Sequence, residues 1–447
     1  MNKCSKKRPQ GSMAEMMEVP DLGETLENRL SMITEEIDLE KSARENGALI
    51  RRRGVKSASK LLRIVLGYSV LDHSLRMLGI WCTVMDIAYL SKTALLKRLR
   101  CCRKWLGKLV MLALVQQKSI TTTWQHVRVK VLDATVICQP GSKGADWRLH
   151  FSFDLRAACL DEIEITDGKG PERFNRFTFQ PGEICLGDRA YAIAKSLGYI
   201  LYQGAWVVVR TGWNRLSIET EDGQRFDLIG WLKDRNLQPE GTPGETQVWI
   251  STPQGRYTLR LVAQGISHEA AEKARRKARK AAKKNHHTPD ERSLYTAGFI
   301  LLLSNLPHNQ WSTETILQLY RFRWQVELAF KRFKSLLHFD HLRCKDPELV
   351  QVYLLGKLLG LILVERIQLR LSTQHPGWFM DQNRPMSYWR LTALFGEEIR
   401  MLIRGPLSLE IILQKFPLLL RYLCDEPRNR SQQLVTARRL FQGLGNC

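Results

Sequence analysis

The chain has no Cys-x-x-Cys pair, and no Cys/His group shows the paired spacing of a zinc site. Zinc fingers and ribbons are therefore excluded. Its ten cysteines, at positions 4, 82, 101, 102, 138, 159, 185, 344, 424 and 447, are scattered. In a chain this long that pattern reads as reduced thiols in a cytosolic protein, and it excludes a disulfide scaffold. The opening residues, MNKCSKKRPQGSMAEMM, are charged and lack an apolar core, so no secretory signal is expected. Long apolar runs are missing too. The most apolar stretch, 350–364, is interrupted by Lys357 and closed by Glu365, and a buried helix is expected there rather than a membrane span. Acid is in short supply: 45 Asp and Glu face 68 Lys and Arg, a net charge of +23. An excess of that size usually goes with a polyanionic partner such as DNA, RNA or an anionic membrane surface; the bland reading is a ribosome-associated or merely soluble basic protein, and nucleic acid is favoured.

The 447 residues are 44% hydrophobic, enough for several cores, and the length suggests two to four domains. Residues 1–124 read as helical. Ser91 opens a basic helix, SKTALLKRLRCCRKWLGKL, with Lys97, Arg98, Arg100, Arg103, Lys104 and Lys108 among apolar residues. A helix, a break and a basic helix fit either a helix-turn-helix DNA reader or a bundle with a solvated basic face. The pattern changes near 126. RVKVLDATVIC (128–138), DWRLHFSFDLRAACL and LDEIEITDG read as three consecutive strands, 184–186 as a short fourth, and 191–202 as a helix. That order fits a mixed α/β sheet. From 205 to 262 strand patterns alternate with turns, and a basic helix follows from 268. Within it, 273–284 holds eight Lys or Arg and no acid, which favours a phosphate-facing surface. At 294 an apolar run, LYTAGFILLLSNL, reads as a strand buried on both faces. A long helix is expected from Ser312, and the chain from 346 onward is helical and leucine-rich.

Three acids stand where this architecture makes acids costly. Asp133 lies inside the apolar strand VLDATVI, Asp188 follows ICLG, and Glu327 lies in YRFRWQVELAFKRFKSLL. That last helix is apolar on most sides and should be buried. Its polar residues Tyr320, Arg323, Glu327 and Lys334, at offsets 0, 3, 7 and 14, form one stripe. Each acid has a bland reading. The Asp residues could sit at an edge or in ion pairs, and Glu327 could pair with Arg323 or Lys331 along its helix. Gathered together, three carboxylates would repel one another, and a pair of Mg²⁺ ions would relieve that repulsion.

The spacing Tyr320-x(2)-Arg323-x(3)-Glu327-x(6)-Lys334 resembles the YREK signature of bacterial insertion-sequence transposases with a DDE triad, the group similar to cut-and-paste, hairpin-forming enzymes. LDATVI resembles their first-Asp segment and LGDRAYA their second, with Ala190 where Gly is commoner before the aromatic. The resemblance covers about 125–345. It implies an RNase H-like catalytic domain in two parts, 125–204 and 293–345, interrupted by a β-rich insertion at 205–292 that ends in the basic helix. A helical DNA-binding region (1–124) and a helical C-terminal region (346–447), a candidate for dimerisation, would flank it. It implies that Asp133, Asp188 and Glu327 are catalytic and bind two Mg²⁺ ions, with Mn²⁺ able to substitute. Arg323 and Lys334 would hold DNA phosphates, Tyr320 would hydrogen-bond a phosphate or brace the distorted end, and Trp324 or another aromatic would stack on an unpaired base. The implied activity is metal-dependent hydrolysis and strand transfer at element ends. Water frees a 3′-hydroxyl, which attacks the opposite strand if a hairpin forms and later the target, with no covalent protein–DNA bond. The implied partners are the terminal inverted repeats, target DNA and a second copy of the chain, in a bacterial cytosol and with no membrane. Two rivals are an RNase H-like nuclease without strand transfer and a catalytically silent DNA-binding derivative.

If 273–284 touches the DNA backbone, replacing four of its Lys and Arg with Gln weakens binding to all sequences alike. The slope of log K against log salt then shrinks by up to about 0.9 per lost phosphate contact. An unchanged slope in a gel-shift titration would make this helix a solvated face.

Overall fold

Strand β1 (Val129–Ile137) pairs antiparallel with β2 (Trp147–Asp154), which pairs antiparallel with β3 (Cys159–Asp167). On its other side β1 pairs parallel with β4 (Ile184–Gly187), and β4 pairs parallel with β5 (Trp206–Arg210). The sheet continues through β6 (Gly244–Thr252), β7 (Gly255–Gly265) and β8 (Phe299–Ser304), in the order β3-β2-β1-β4-β5-β8-β7-β6. Sheet positions thus come from the 205–292 segment as well as from its flanks. The computed structural model describes residues 25–423, apart from 35–36, 122–127, 143, 156, 158, 285, 339–341, 377–378 and 380–385. The N-terminal seventeen residues discussed above, and Cys4, Cys424 and Cys447, lie outside the described residues; the seven cysteines within them are free.

Alternate residues of the central strands face two separate cores, as the two-residue period of a strand requires. Val131, Leu186, Val208 and Leu302 face one core; Leu132, Cys185, Val207, Leu301 and Leu303 face the other. Helix α7 (Ala194–Tyr202) and α8 (Leu228–Asp234) cover the second. The first is covered by helices from both ends of the chain: α1 (Leu26–Thr34), α2 (Leu39–Glu45), α3 (Ala58–Ser69), α4 (Leu75–Val84), α5 (Lys92–Cys101) and α6 (Arg103–Thr121). The C-terminal half adds α13 (Pro347–Gln374), α14 (Tyr388–Arg404) and α15 (Leu409–Leu423). Ser57, Ser74 and Ser91 each cap a helix by accepting the N–H three residues on.

Helix α13 explains the charges that interrupt its apolar run. It packs against α1, α3, α5, α6 and α14, so it is the axis of the helical layer. Lys357, Glu365 and Arg366 are all buried, yet each has a polar partner, although the Arg366 Nε has none among the described residues. Lys357 donates to the His338 carbonyl at 2.7 Å and pairs with Asp72 at 3.2 Å. Glu365 accepts from the Leu160 N–H at 3.1 Å, and Arg366 donates to the Ala113 carbonyl at 2.9 Å. At 28 residues the helix is longer than the apolar stretch alone indicated, and it is long and apolar enough to cross a membrane. Within the fold 78% of its most apolar window is buried by protein, the mark of a core helix.

Three local expectations change. The basic helix after Ser91 is two helices, α5 and α6, broken at Cys102. Arg98 donates to the carbonyls of Arg51 and Arg53, and Arg100 pairs with Asp346, so part of the basic face is spent inside the helical layer while Lys97, Lys104 and Lys108 stay exposed. The run at 294 opens in a short helix, α10 (Glu291–Thr296), capped by Asp290, before β8 begins. The long helix from Ser312 is α11 (Thr313–Arg321) and α12 (Arg323–Leu337), joined at Phe322.

The start of β1 holds a buried group of charges. Arg128 reaches Asp154 (2.7 Å), Asp161 (2.8 Å) and Glu183 (3.1 Å). Lys130, 1% exposed, reaches Glu183 (2.9 Å), Asp161 (3.4 Å) and Glu162 (3.7 Å) and donates to the Thr178 carbonyl. Removing one member of such a group strands the others without water. Lys130→Met should destabilise the protein by about 3–5 kcal/mol, measured by urea denaturation; a loss within error of zero would show that Arg128 alone satisfies these acids.

Candidate active site

The site forms where β1 and β4 part. They pair at only three positions, from Val129↔Ile184 to Val131↔Leu186, after which β4 ends while β1 runs on to Ile137. Parallel strands that separate at their carboxyl ends leave a crevice there. Asp133 lies two residues beyond the last pair on β1, and Asp188 lies two residues beyond it on the β4 side. Gly187 permits the tight turn: a Cβ there would come within 3.0 Å of the Phe174 ring and 3.1 Å of Tyr191. The Asp188 carboxylate accepts the Ala190 N–H at 2.8 Å, and Asp133 accepts the Ala134 N–H at 2.9 Å.

Burial pushes the Asp133 carboxyl up to about 7. The Ala134 N–H and the Arg323 guanidinium pull it down, while Asp188 and Glu172 push it further up. The two aspartates therefore feel each other, and Arg323 on α12 is the cation that bears on Asp133. Arg323 also pairs with Glu327 at 2.5 Å, one helical turn on, and sits 5.9 Å from the Tyr320 ring. Burial works against the Arg323 charge, and Tyr320, Glu327 and Asp133 sustain it. Burial also raises the Tyr320 hydroxyl above its ordinary value despite Arg323 and Arg210, so Tyr320 is a neutral donor at neutral pH.

The fold thus brings Asp133, Asp188, Arg323 and Tyr320 together, and Glu327 is tied to this group through Arg323. The Glu327 side chain is 44% exposed and engaged by Arg323. Among the described residues no three Asp, Glu, His or Cys side chains stand close enough to hold a metal ion as a group. This departs from the expectation of three gathered carboxylates, and the physical reason is the Arg323–Glu327 pair, which neutralises the glutamate locally. The joint and the start of α12 are also less buried than the sequence indicates: Phe322 is 47% and Trp324 60% exposed, while Ala329 is buried. The burial expected for Val326, Phe330, Phe333, Leu336 and Leu337 lies outside the described side chains. Lys334 is half-buried two turns from Glu327.

Further residues reach this edge without any signal strong enough to find them in the sequence. Glu172, in the loop before β4, has its carboxyl raised by burial and by Asp188, with Arg148 and Arg215 opposing. Arg210 closes β5, and its buried Nε has no hydrogen-bond partner among the described residues. The same edge carries α9 (His268–Lys284). Gly265 pairs with Phe299, and Arg210 with Leu302, so the chain leaves β7 and re-enters β8 at the end where β1, β4 and β5 terminate. On α9, Lys273, Arg276, Lys277, Arg279, Lys280, Lys283 and Lys284 are exposed, while Arg275 is turned to Glu272 and the Leu294 carbonyl. Ala271 and Ala282 are its buried positions.

A family profile described as a transposase DDE domain matches residues 128–363, rather more than half of the 447. A transposase for insertion sequence element IS421 of Escherichia coli is 35% identical over 337 residues, covering 74% of this chain and 90% of that protein. A transposase for insertion sequence element IS231F of Bacillus thuringiensis subsp. israelensis is 26% identical over 294 residues, covering 57% and 61%.

A carboxyl whose folded pKa lies above its unfolded value of 3.8 favours the folded state in its neutral form. Its contribution is full below about pH 4 and is lost as pH rises through about 7. Asp133→Asn should therefore raise stability at pH 8, without divalent cations, by on the order of 2 kcal/mol. The gain should vanish near pH 4. Thermal melts at the two pH values check this, and an equal effect at both would mean that burial at Asp133 is not the cause.

Proposed function

The chain belongs to the DDE transposases of insertion sequences, and from that premise we propose that it cuts and joins DNA at Asp133, Asp188 and Glu327. The parting of β1 and β4 around two coupled aspartates carries this reading. We take the four strands β3-β2-β1-β4 as the RNase H-like core, extended at its edge by β5 from the 205–292 segment. The 205–292 segment is read as an insertion that ends in a DNA-binding helix, and 1–124 as a further DNA-binding region.

DDE transposases use divalent metal ions. Asp133 and Asp188 fit such an ion: both are hard oxygen donors, they repel one another, and the buried Tyr191 hydroxyl beside them has no hydrogen-bond partner among the described residues. Magnesium, as two ions, is the reading proposed, with manganese able to substitute. Bound there, the ions supply an activated water or 3′-hydroxyl and stabilise the leaving oxygen of an in-line displacement. The chain's own residues do the rest. Arg323 exchanges Glu327 for a DNA phosphate, which frees Glu327 to complete the carboxylate set. Tyr320 donates its hydroxyl to a phosphate, and Lys334 holds the strand two turns along α12. Trp324, largely exposed, offers its face to an unpaired base. The basic side of α9 extends the track along the same edge. β7 is three strand spacings from β4, roughly 14 Å. The reaction on this reading is hydrolysis that frees a 3′-hydroxyl, followed by strand transfer, in a cut-and-paste sequence. A second copy in the DNA complex belongs to the same reading, supported by the exposed row Leu409, Leu413, Phe416 and Leu420 on α15.

Asp133→Asn, Asp188→Asn and Glu327→Gln should each lower Mg²⁺-dependent cleavage of a labelled element end by about a thousandfold, equivalent to about 4 kcal/mol. DNA binding in Ca²⁺ should persist. Arg323→Ala and Lys334→Ala should weaken binding as well as cleavage. Normal cleavage by Glu327→Gln would leave that residue as a structural partner of Arg323 and sink the three-acid assignment.

A further inference from the structure

We propose that Lys357 is a positioning residue of the active site: it fixes the carboxyl end of α12, and with it the stance of Arg323, Glu327 and Lys334 toward the aspartates. The inference rests on the reading of α12 as the helix that completes the site. Helix α12 ends at Leu337, and His338 caps it in the left-handed conformation, φ 50° and ψ 44°. Glycine or asparagine usually takes that place. A histidine there must be held by its surroundings. Lys357, on the next helix, does so: its ammonium donates to the His338 carbonyl at 2.7 Å. The last carbonyls of a helix lack an intrahelical donor and carry the negative end of its dipole, so a buried cation suits them.

The same ammonium is anchored on its other side. It pairs with Asp72 at 3.2 Å, and the Tyr353 hydroxyl, one turn earlier on α13, donates to the same carboxylate oxygen. The ammonium also lies 4.7 Å from the Tyr353 ring. Asp72 stands in the turn between α3 and α4 and is itself left-handed, at φ 56°. Two left-handed residues that are not glycine, far apart in the chain, thus converge on one side chain that is 1% exposed. The close approach is built into α13. A Cβ at Gly356 would come within 2.3 Å of the Ser69 hydroxyl, and one at Gly360 within 2.9 Å of Val70, so glycine lets α13 lie tightly on the end of α3. Burial pulls the Lys357 ammonium down to about 8 while Asp72 holds it up, so it is charged at neutral pH. Glu327 stands roughly 16 Å along the helix axis from His338. A rigid helix carries a tilt at its held end to the residues that face Asp133.

The test uses the full chain on labelled DNA that ends in the element's terminal repeat. Single-turnover cleavage in Mg²⁺, gel shift in Ca²⁺, urea denaturation and amide hydrogen exchange are read together. Lys357→Met keeps the bulk and removes the donor. It should slow cleavage at saturating DNA by about ten- to a hundredfold, change DNA affinity little, and speed exchange in 331–337 more than in α13 or the sheet. Lys357→Gln, which keeps an N–H donor for the His338 carbonyl, should recover part of the rate and of the protection. A cleavage loss that only tracks the loss of stability, with 331–337 protected as before, would make Lys357 a buried charge of the fold and overturn the inference. Glu327→Gln is the control for the premise. If it cleaves normally, α12 is not the catalytic helix and the inference falls with it, whatever exchange shows. Should Lys357→Met fail to fold, Asp72→Asn decides, since Asp72 is partly exposed. It leaves the Tyr353 hydroxyl an acceptor but removes the ion pair. Slower cleavage with faster exchange in 331–337 supports the tie, and wild-type behaviour in both overturns it.

Discussion

Arg128 and Lys130 carry two cations into a dry space where carboxylates from β2, β3 and the approach to β4 converge. Charges withdrawn from water in this way tolerate little rearrangement, because each oxygen left without its partner is costly. Lys130 points where it does only in one register, since a one-residue slip would turn it to the opposite face. The network therefore pins four strands at the start of β1. Pinning one end lets the other diverge without loss of order, and Asp133 and Asp188 stand on the diverging ends. The crevice and the charge group are two ends of one short stretch of strand.

At the open end the electrostatics run the other way. Asp133 is burdened by burial and by Asp188, and Arg323 relieves it only in part while also holding Glu327. An arrangement of this kind is strained by charge rather than by geometry. On the proposed reading a divalent ion and a phosphate resolve it together: the ion satisfies the acids, and the phosphate takes the guanidinium. The resting pair between Arg323 and Glu327 then has a simple role, which is to keep each from making an unproductive contact elsewhere.

Much of this was legible in the sequence. β1 to β4 followed from β-branched runs and their spacing, and the two aspartates stood out because apolar strands seldom carry acids. The stripe Tyr320, Arg323, Glu327, Lys334 followed from helical period alone. The break at Phe322 did not, since its backbone remains in the helical region at φ −66° and ψ −19° and no Gly or Pro marks it. The helical start at 291 was masked by the apolar residues that follow it, although Asp290 is a proper cap. Glu172 was invisible because its relation to Asp188 runs through Phe174, Gly187 and Tyr191, contacts that join two loops with no period between them. The charges in α13 were legible as interruptions, but their partners, His338 and Asp72 for Lys357 and Leu160 for Glu365, are set by tertiary packing.

The strand order has a consequence for how such a chain can change in length. β8, which leads directly toward α11 and α12, has two neighbours in the sheet, β5 and β7, and both come from 205–292. Excising that stretch would not yield a trimmed enzyme. It would strip β8 of its sheet partners on both sides and leave α11 and α12 without that anchor beside the aspartates. Shortening by natural deletion or by design is therefore confined to the turns between these strands, while growth at the same turns is free. A lineage built on this plan can add to its middle far more readily than it can give any of it up.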